Sequence, residues 1–342
     1  MTLENRAELD FVLTLRRLWA NTVYPTLRRE FDAQSPTAKM GEEIATIRDL
    51  PSYRLFSWLE RGSQKMLWRA VTGAVDASPP AAQVDCASTL TLDPALQLPD
   101  WYTRCDIHIQ PGGVWSSDRN ARIYELGAKL VMLGENDDYA FHRLFVDTAI
   151  PKRDYARMVD LGCGFGKSTW PLKQRFPDAE VIGVDLSAPC LTLAKERADE
   201  RQLGIAFIQA DATATPIPAN SVDLVTATML IHELPIDELG RLFAEAARFL
   251  APGGLVRILD FQRTGDAFRD YAMVEHGTRN NEPFLPPMMA ANLAQMAAAA
   301  GLENVRWRAF DERGVGLLPS DQWPQRSEWH FPWAVLEAEK PA

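Results

Sequence analysis

The chain has 342 residues, 46% of them hydrophobic, and a formal net charge of −10. That length suits one elaborated domain or two, with ample apolar material for a core. The acidity argues against nucleic acid or an anionic membrane as partner, because phosphate recognition needs clustered Lys and Arg.

The first residues, M-T-L-E-N-R-A-E-L-D, carry acids where a secretion signal is basic. No run reaches the ~18 apolar residues of a membrane span, so a cytoplasmic location is expected. Cys86, Cys105, Cys163 and Cys190 show neither C-x-x-C nor zinc spacing and read as reduced thiols; no metal site is expected.

Over residues 4–32, Leu9, Val12, Leu13, Leu15, Leu18 and Trp19 recur at three- and four-residue steps, a helical pattern. Pro25 predicts two helices or a kink. Ser35-Pro36 opens a short helix that Gly41 weakens. Residues 51–75 form a third helical region, whose Tyr53, Phe56, Trp58 and Trp68 read as core or as a homodimer surface. Residues 76–100, with Pro79, Pro80, Pro94 and Pro99, read as a connection. In W-Y-T-R-C-D-I-H-I-Q-P-G-G-V-W, Trp101 to Trp115, polar Asp106, His108 and Gln110 alternate with Ile107 and Ile109. That period of two predicts a strand carrying either a turn-stabilising network or substrate contacts. Helices are expected over residues 118–133 and 137–150, the second capped by its leading acids.

The organising stretch is Met158 to Gly166, M-V-D-L-G-C-G-F-G. An apolar run ends at Asp160, glycines follow at 162, 164 and 166, and a helix pattern begins at Lys167, read as solvated. Strand, glycine turn and helix present backbone N–H groups to a ligand. A phosphate-binding loop needs G-x-x-x-x-G-K-[ST], and its first glycine would fall on Leu161. A dinucleotide turn needs G-x-G-x-x-G, and the third glycine here comes one residue early.

Glu180 to Asp185, E-V-I-G-V-D, is a second strand that closes on an acid not needed for folding, placed to bind ribose hydroxyls. Ile205 to Asp211 is a third strand, Ser221 to Thr228 a fourth, and Leu255 to Phe261 a fifth, entered through Pro252-Gly253-Gly254. Asn304 to Phe310 and Trp329 to Glu337 read as a closing antiparallel pair, with Pro332 delaying the last strand.

From Tyr155 to Phe261 the D-x-G-x-G-x-G turn and the acids that follow it resemble the class I S-adenosylmethionine (SAM)-dependent methyltransferases of small molecules. The resemblance implies a doubly wound α/β fold with a seven-stranded Rossmann-like sheet (136–342) behind a mostly helical N-terminal domain (1–135) that covers the acceptor or dimerises. It implies SAM contacts from Asp160, Gly162, Cys163, Gly164, Gly166, Asp185, Leu186, Asp211, Ala212, Thr228 and Met229. Tyr139, His142 and Arg143 would lie near the methionine end. After the fourth strand the chain has A-T-M-L in place of N-P-P-[YF], which speaks against DNA or protein amide acceptors. His232 and Glu233 stand where a general base is expected. The polar segment 265–289 offers Tyr271, Glu275, His276, Arg279 and Asn280 as substrate contacts. The implied activity is in-line methyl transfer to an O, N or C nucleophile of a small molecule. A nicotinamide-dependent oxidoreductase and a non-catalytic SAM-binding assembly protein are the rival readings.

Overall fold

In the computed structural model, which describes residues 1–34, 47–78, 87–133, 137–319 and 322–342, the apolar runs from Thr89 onward lie side by side in one nine-stranded sheet. Its strands are β1 (Thr89–Thr91), β2 (Arg157–Leu161), β3 (Glu180–Asp185), β4 (Ala206–Gln209), β5 (Val222–Thr228), β6 (Leu250–Phe261), β7 (Glu303–Asp311), β8 (Gly316–Leu317) and β9 (Trp333–Glu339). The order is β1-β4-β3-β2-β5-β6-β9-β7-β8. The first six neighbours run parallel, and β9 lies antiparallel between β6 and β7. β2 and β5 are buried along nearly their whole length, as parallel strands covered on both faces must be.

The two strands beyond the expected seven are short edge pieces. β1 arises within the predicted connection, where Thr89–Thr91 pairs with Ala206–Ile208. The last strand begins at Trp333, directly after Pro332, because proline has no N–H for the ladder.

The chain order reverses between β2 and β5, which are neighbours with β3 on one flank and β6 on the other. Open α/β sheets bind ligands in the crevice outside the carboxyl ends of their strands at such a point. Helices between the strands cover the sheet. In Ile236–Phe249, buried Leu239, Leu242, Phe243, Ala246 and Phe249 fall on one face, and Asp237 and Glu238 favour its positive N-terminal end.

The N-terminal helices Leu3–Leu18 and Tyr24–Gln34 are joined by a π turn, Trp19–Val23, which absorbs the break expected at Pro25. Trp19 stacks on Phe56 at 5.2 Å and meets Trp329 at 5.3 Å. Tyr24 packs on Phe268. Buried residues of this region and of the sheet form one continuous cluster. On Tyr53–Asp76, Phe56 and Trp68 are buried while Leu55 and Trp58 face solvent.

Three local expectations give way. Residues 101–115 form no strand: helical turns at Asp100–Thr103 and Ile107–Ile109 replace it, with left-handed backbone at His108 (φ 58°) and Ile109 (φ 54°). Side chains fix that shape, since Trp68 Nε1 donates to the His108 carbonyl at 2.6 Å and Gln110 Nε2 to the Asn120 carbonyl at 3.0 Å. The helix Ala140–Ala149 starts at Tyr139, which caps it with no side-chain bond: Asp138 and Tyr139 are left-handed, and Asp138 pairs with Arg143 at 2.8 Å. The polar segment 265–289, expected to offer all five of its named side chains to a substrate, holds the helix Ala267–Arg279, begun by Asp266 accepting the Arg269 N–H at 3.0 Å. The helix expected after Ser35-Pro36 and the thiol of Cys86 lie outside the described residues. No helix among those residues is long and apolar enough to cross a membrane.

Candidate active site

β2 ends in a turn that only glycine accommodates well. Gly162 has φ +62°, and a Cβ there would stand 2.5 Å from Leu230; Gly166 has φ +88°, and a Cβ would meet the Trp170 indole at 2.7 Å. Asp160 is fully buried beneath the turn. It accepts the Ser168 and Thr169 hydroxyls at 2.7 Å each and that of Thr226 at 2.8 Å. Burial raises its pKa against those three donors. Asp160 therefore braces the turn from behind and does not line the cavity in front of it.

That cavity, ≈ 180 Å³, lies at the carboxyl ends of β2, β3, β4 and β5. Gly162, Gly164, Asp185, Leu186, Asp211, Ala212 and Met229 line it, as do His232 and Glu233. Cys163, Gly166 and Thr228 stand behind the wall; Cys163 is buried beside Gly183. Asp185 accepts the Gly164 N–H and the Ser187 N–H at 2.8 Å each. Burial raises its pKa, and those backbone donors offset part of the rise. Met229, with φ +56°, turns the chain out of β5 at the cavity rim.

Lys167, read as solvated, is 5% exposed and lines the cavity. The helix starts only at Thr169, so Lys167 still belongs to the turn and points inward. Its ammonium stands 3.2 Å from the Tyr124 hydroxyl and 5.3 Å from that ring's centre. It has no carboxylate partner among the described residues, and burial lowers its pKa to about 8. His142 is 1% exposed, neither ring nitrogen has a partner, and it too lines the cavity. Burial and then Lys167 push its pKa well down, leaving a neutral imidazole. Tyr139 packs against Trp170 and Phe165, away from the opening.

A chain of carboxyl and imidazole groups forms the opposite wall. His232 Nδ1 stands 2.7 Å from Asp260 Oδ1, and its Nε2 is 3.2 Å from Glu233 Oε1. The same Glu233 oxygen lies 3.2 Å from His108 Nε2, whose Nδ1 is 2.9 Å from Glu282 Oε1. Burial resists charge on both rings, but Asp260 and Glu233 outweigh it at His232, and Glu233 and Glu282 at His108, so both pKa values rise. Burial likewise resists ionisation of Glu233, and the two imidazoles outweigh it. Glu233 Oε2 has no partner. His108 and Glu282 could not be joined to His232 from sequence, because residues 106–110 read as a strand. No group of three or more His, Cys, Asp or Glu among the described residues is arranged to hold a metal ion.

The five substrate candidates divide. His276 and Asn280 line the cavity. Tyr271, Glu275 and Arg279 do not; they tie Ala267–Arg279 to the N-terminal region. Glu275 binds Arg48 at 2.6 Å and Arg279 at 2.9 Å, Tyr271 accepts Arg48 Nε at 3.1 Å, and Arg279 Nε donates to Glu60. Beyond His276 and Asn280 a second cavity of ≈ 30 Å³ shares walls with the first, including Arg16, Gln64, Phe331 and Trp333.

A family model described as a methyltransferase domain matches residues 158–254. Demethylmenaquinone methyltransferase of Thermus thermophilus is 36% identical over 138 residues, 40% of this chain and 60% of that protein. Trans-aconitate 2-methyltransferase of Azoarcus sp. is 35% identical over 158 residues, 46% of this chain and 56% of that protein. Demethylmenaquinone methyltransferase of Deinococcus radiodurans is 31% identical over 185 residues, 48% of this chain and 75% of that protein. The chain thus spans less than two thirds of the first two relatives.

Proposed function

The chain belongs to the class I SAM-dependent methyltransferases, and we propose that it methylates a small, largely apolar molecule at a neutral nucleophile whose proton passes to Glu233. SAM is the cofactor, and the cavity suits it. The orphaned nitrogens of His142 and the unpaired ammonium of Lys167 are a buried donor pair that lacks an anion, as the carboxylate of a methionine would supply. Asp185 would take the ribose hydroxyls with lone pairs left over from Gly164 and Ser187. Leu186, Asp211 and Ala212 would flank the base, and Gly162 and Gly164 would admit the methionine chain against bare backbone. When bound, SAM supplies a methyl group on a sulfonium that is already an activated electrophile.

What remains for the protein is to position the acceptor, exclude water and manage one proton. Trp101, Tyr102, Phe261 and Phe331 supply apolar walls. Each of the two imidazoles faces carboxyl groups through both nitrogens, so each donates twice and keeps no lone pair to receive a proton. The remaining acceptor is the buried Oε2 of cavity-lining Glu233, unpartnered while Oε1 is held by both rings. This observation carries the assignment. Glu233 is the base, and His232 and His108 are positioning residues. A carboxylate as the methylated group itself would set two anions against each other there.

The test compares wild type with Glu233→Gln on hydroxyaryl acceptors. The variant should bind S-adenosylhomocysteine normally and lose about 10²- to 10⁴-fold in kcat, the usual worth of a positioned base. A wild-type rate in the variant would remove Glu233 from the chemistry.

A further inference from the structure

We propose that the acceptor carries an anionic group of the carboxylate class, remote from its methylated atom, and that Arg16 receives it. This rests on reading the cavity as a methyl-transfer site. Arg16 lies in the last turn of Leu3–Leu18, is 6% exposed, and lines both cavities. Gln64 holds its Nη1, the Val131 carbonyl stands 3.5 Å from Nη2, and Nε has no partner. No carboxylate among the described residues forms an ion pair with it. Glu60 acts on it electrostatically, but that carboxylate is already engaged by His276 Nδ1 at 2.7 Å on one oxygen and Arg279 Nε on the other.

A buried guanidinium with an idle N–H is costly unless something completes it. Burial lowers its pKa only to about 10, so it stays charged at neutral pH. The adjoining Asn280 is 2% exposed and has an unpartnered Oδ1, while its Nδ2 donates to the His276 carbonyl at 2.9 Å. That bond fixes the amide with its oxygen free, an acceptor that gives an anion nothing, so Arg16 is the group that meets it. A planar guanidinium favours a carboxylate through paired N–H donors.

The polarity of the cavity then orients the acceptor. The free oxygen of Glu233 repels an anion and accepts a proton, whereas Arg16 attracts an anion and accepts nothing. Lys167 and His142 stand at the glycine turn, so the cofactor's own carboxylate is served without Arg16.

Calorimetry on the full chain saturated with S-adenosylhomocysteine tests this, with 3-(4-hydroxyphenyl)propanoate and its primary amide as probes. The carboxylate should bind at least about tenfold tighter, as one charge-assisted contact implies. Arg16→Gln should abolish that preference with S-adenosylhomocysteine affinity unchanged, and Arg16→Lys should keep part of it. Equal or tighter binding of the amide, no binding of the carboxylate, or a preference that survives Arg16→Gln would overturn the proposal. So would weakened S-adenosylhomocysteine binding in a folded Arg16→Gln, which would assign Arg16 to the cofactor. The wild-type comparison stands even if the variants fail to fold. A wild type that does not bind S-adenosylhomocysteine would strike the methyl-transfer reading itself, a separate failure.

Discussion

The Gly164 N–H donates to Asp185 Oδ2 at 2.8 Å, which ties the glycine turn after β2 to the tip of β3. The other oxygen of Asp185 accepts the Ser187 N–H, at the N-terminal cap of the helix Ala188–Glu200. One carboxylate thus fixes two loops that border the cavity, before any ligand is considered. The proposed ribose role and the structural role share a residue, and they separate by experiment. Asp185→Ala should weaken S-adenosylhomocysteine binding about 10- to 100-fold, because charged hydrogen bonds are lost. It should also lower the melting temperature, since Gly164 and Ser187 lose their acceptor. Asp185→Asn, which keeps one carbonyl oxygen, should recover most of the stability and little of the affinity. Calorimetry that finds Asp185→Ala binding as tightly as wild type would end the ribose assignment.

Lys167, as the proposed partner of the cofactor's carboxylate, should make cofactor affinity depend on pH. Its pKa in the folded protein, about 8, lies below the ordinary 10.5. Between those values the unfolded chain holds a proton that the folded one has released, so unliganded stability rises with pH across that window. Binding runs the other way. The ammonium form is the one that attracts a carboxylate, so affinity for S-adenosylhomocysteine should be flat below pH 8 and fall above it by up to about tenfold per unit. Lys167→Met should bind more weakly at pH 7 and show no break. A break that persists in that variant belongs to another group, and the assignment of Lys167 fails.

The glycine turn, the five parallel strands with their closing pair, and the acid at Asp185 were legible because each rests on local pattern: apolar runs, punctuation by glycine, an acid at a strand tip. What escaped depends on side chains that meet from distant segments. Asp185 looked dispensable for folding, yet its partner Gly164 stands 21 residues earlier. Lys167 looked solvated because a helix face was assumed two residues before the helix begins at Thr169. His108 sat in an alternating D-I-H-I-Q run whose left-handed backbone follows from a bond to Trp68, 40 residues away. Tyr271, Glu275 and Arg279 have the composition of a binding loop, and helical periodicity turns them toward the N-terminal region instead.

Those three residues, with Glu60, decide how firmly the N-terminal helices are held to the sheet domain. Glu60 is 3% exposed on Tyr53–Asp76, and it joins His276 and Arg279 on Ala267–Arg279. Burial opposes its charge, but Arg279 and then His276 outweigh that cost and hold its pKa below the usual 4.5. Its contribution to stability is therefore present above pH 4.5 and is lost as the pH falls through the lower folded value. Removing one partner of a buried ion pair costs about 3–5 kcal/mol because the other charge is stranded. Here Glu275 still pairs with Arg279 at 2.9 Å, so Glu60→Gln should cost less, about 2 kcal/mol, and lower the melting temperature by several degrees. His276 and Asn280 line the cavity on the side proposed for the acceptor, so KM for the acceptor should rise while affinity for S-adenosylhomocysteine, assigned to the strand tips, stays put. Thermal melts from pH 7 down to pH 4 supply a readout that packing alone would not move: the wild type's advantage over Glu60→Gln should hold above pH 4.5 and begin to shrink below it. A constant gap between the two proteins across that range would mean that the network contributes shape and no charge.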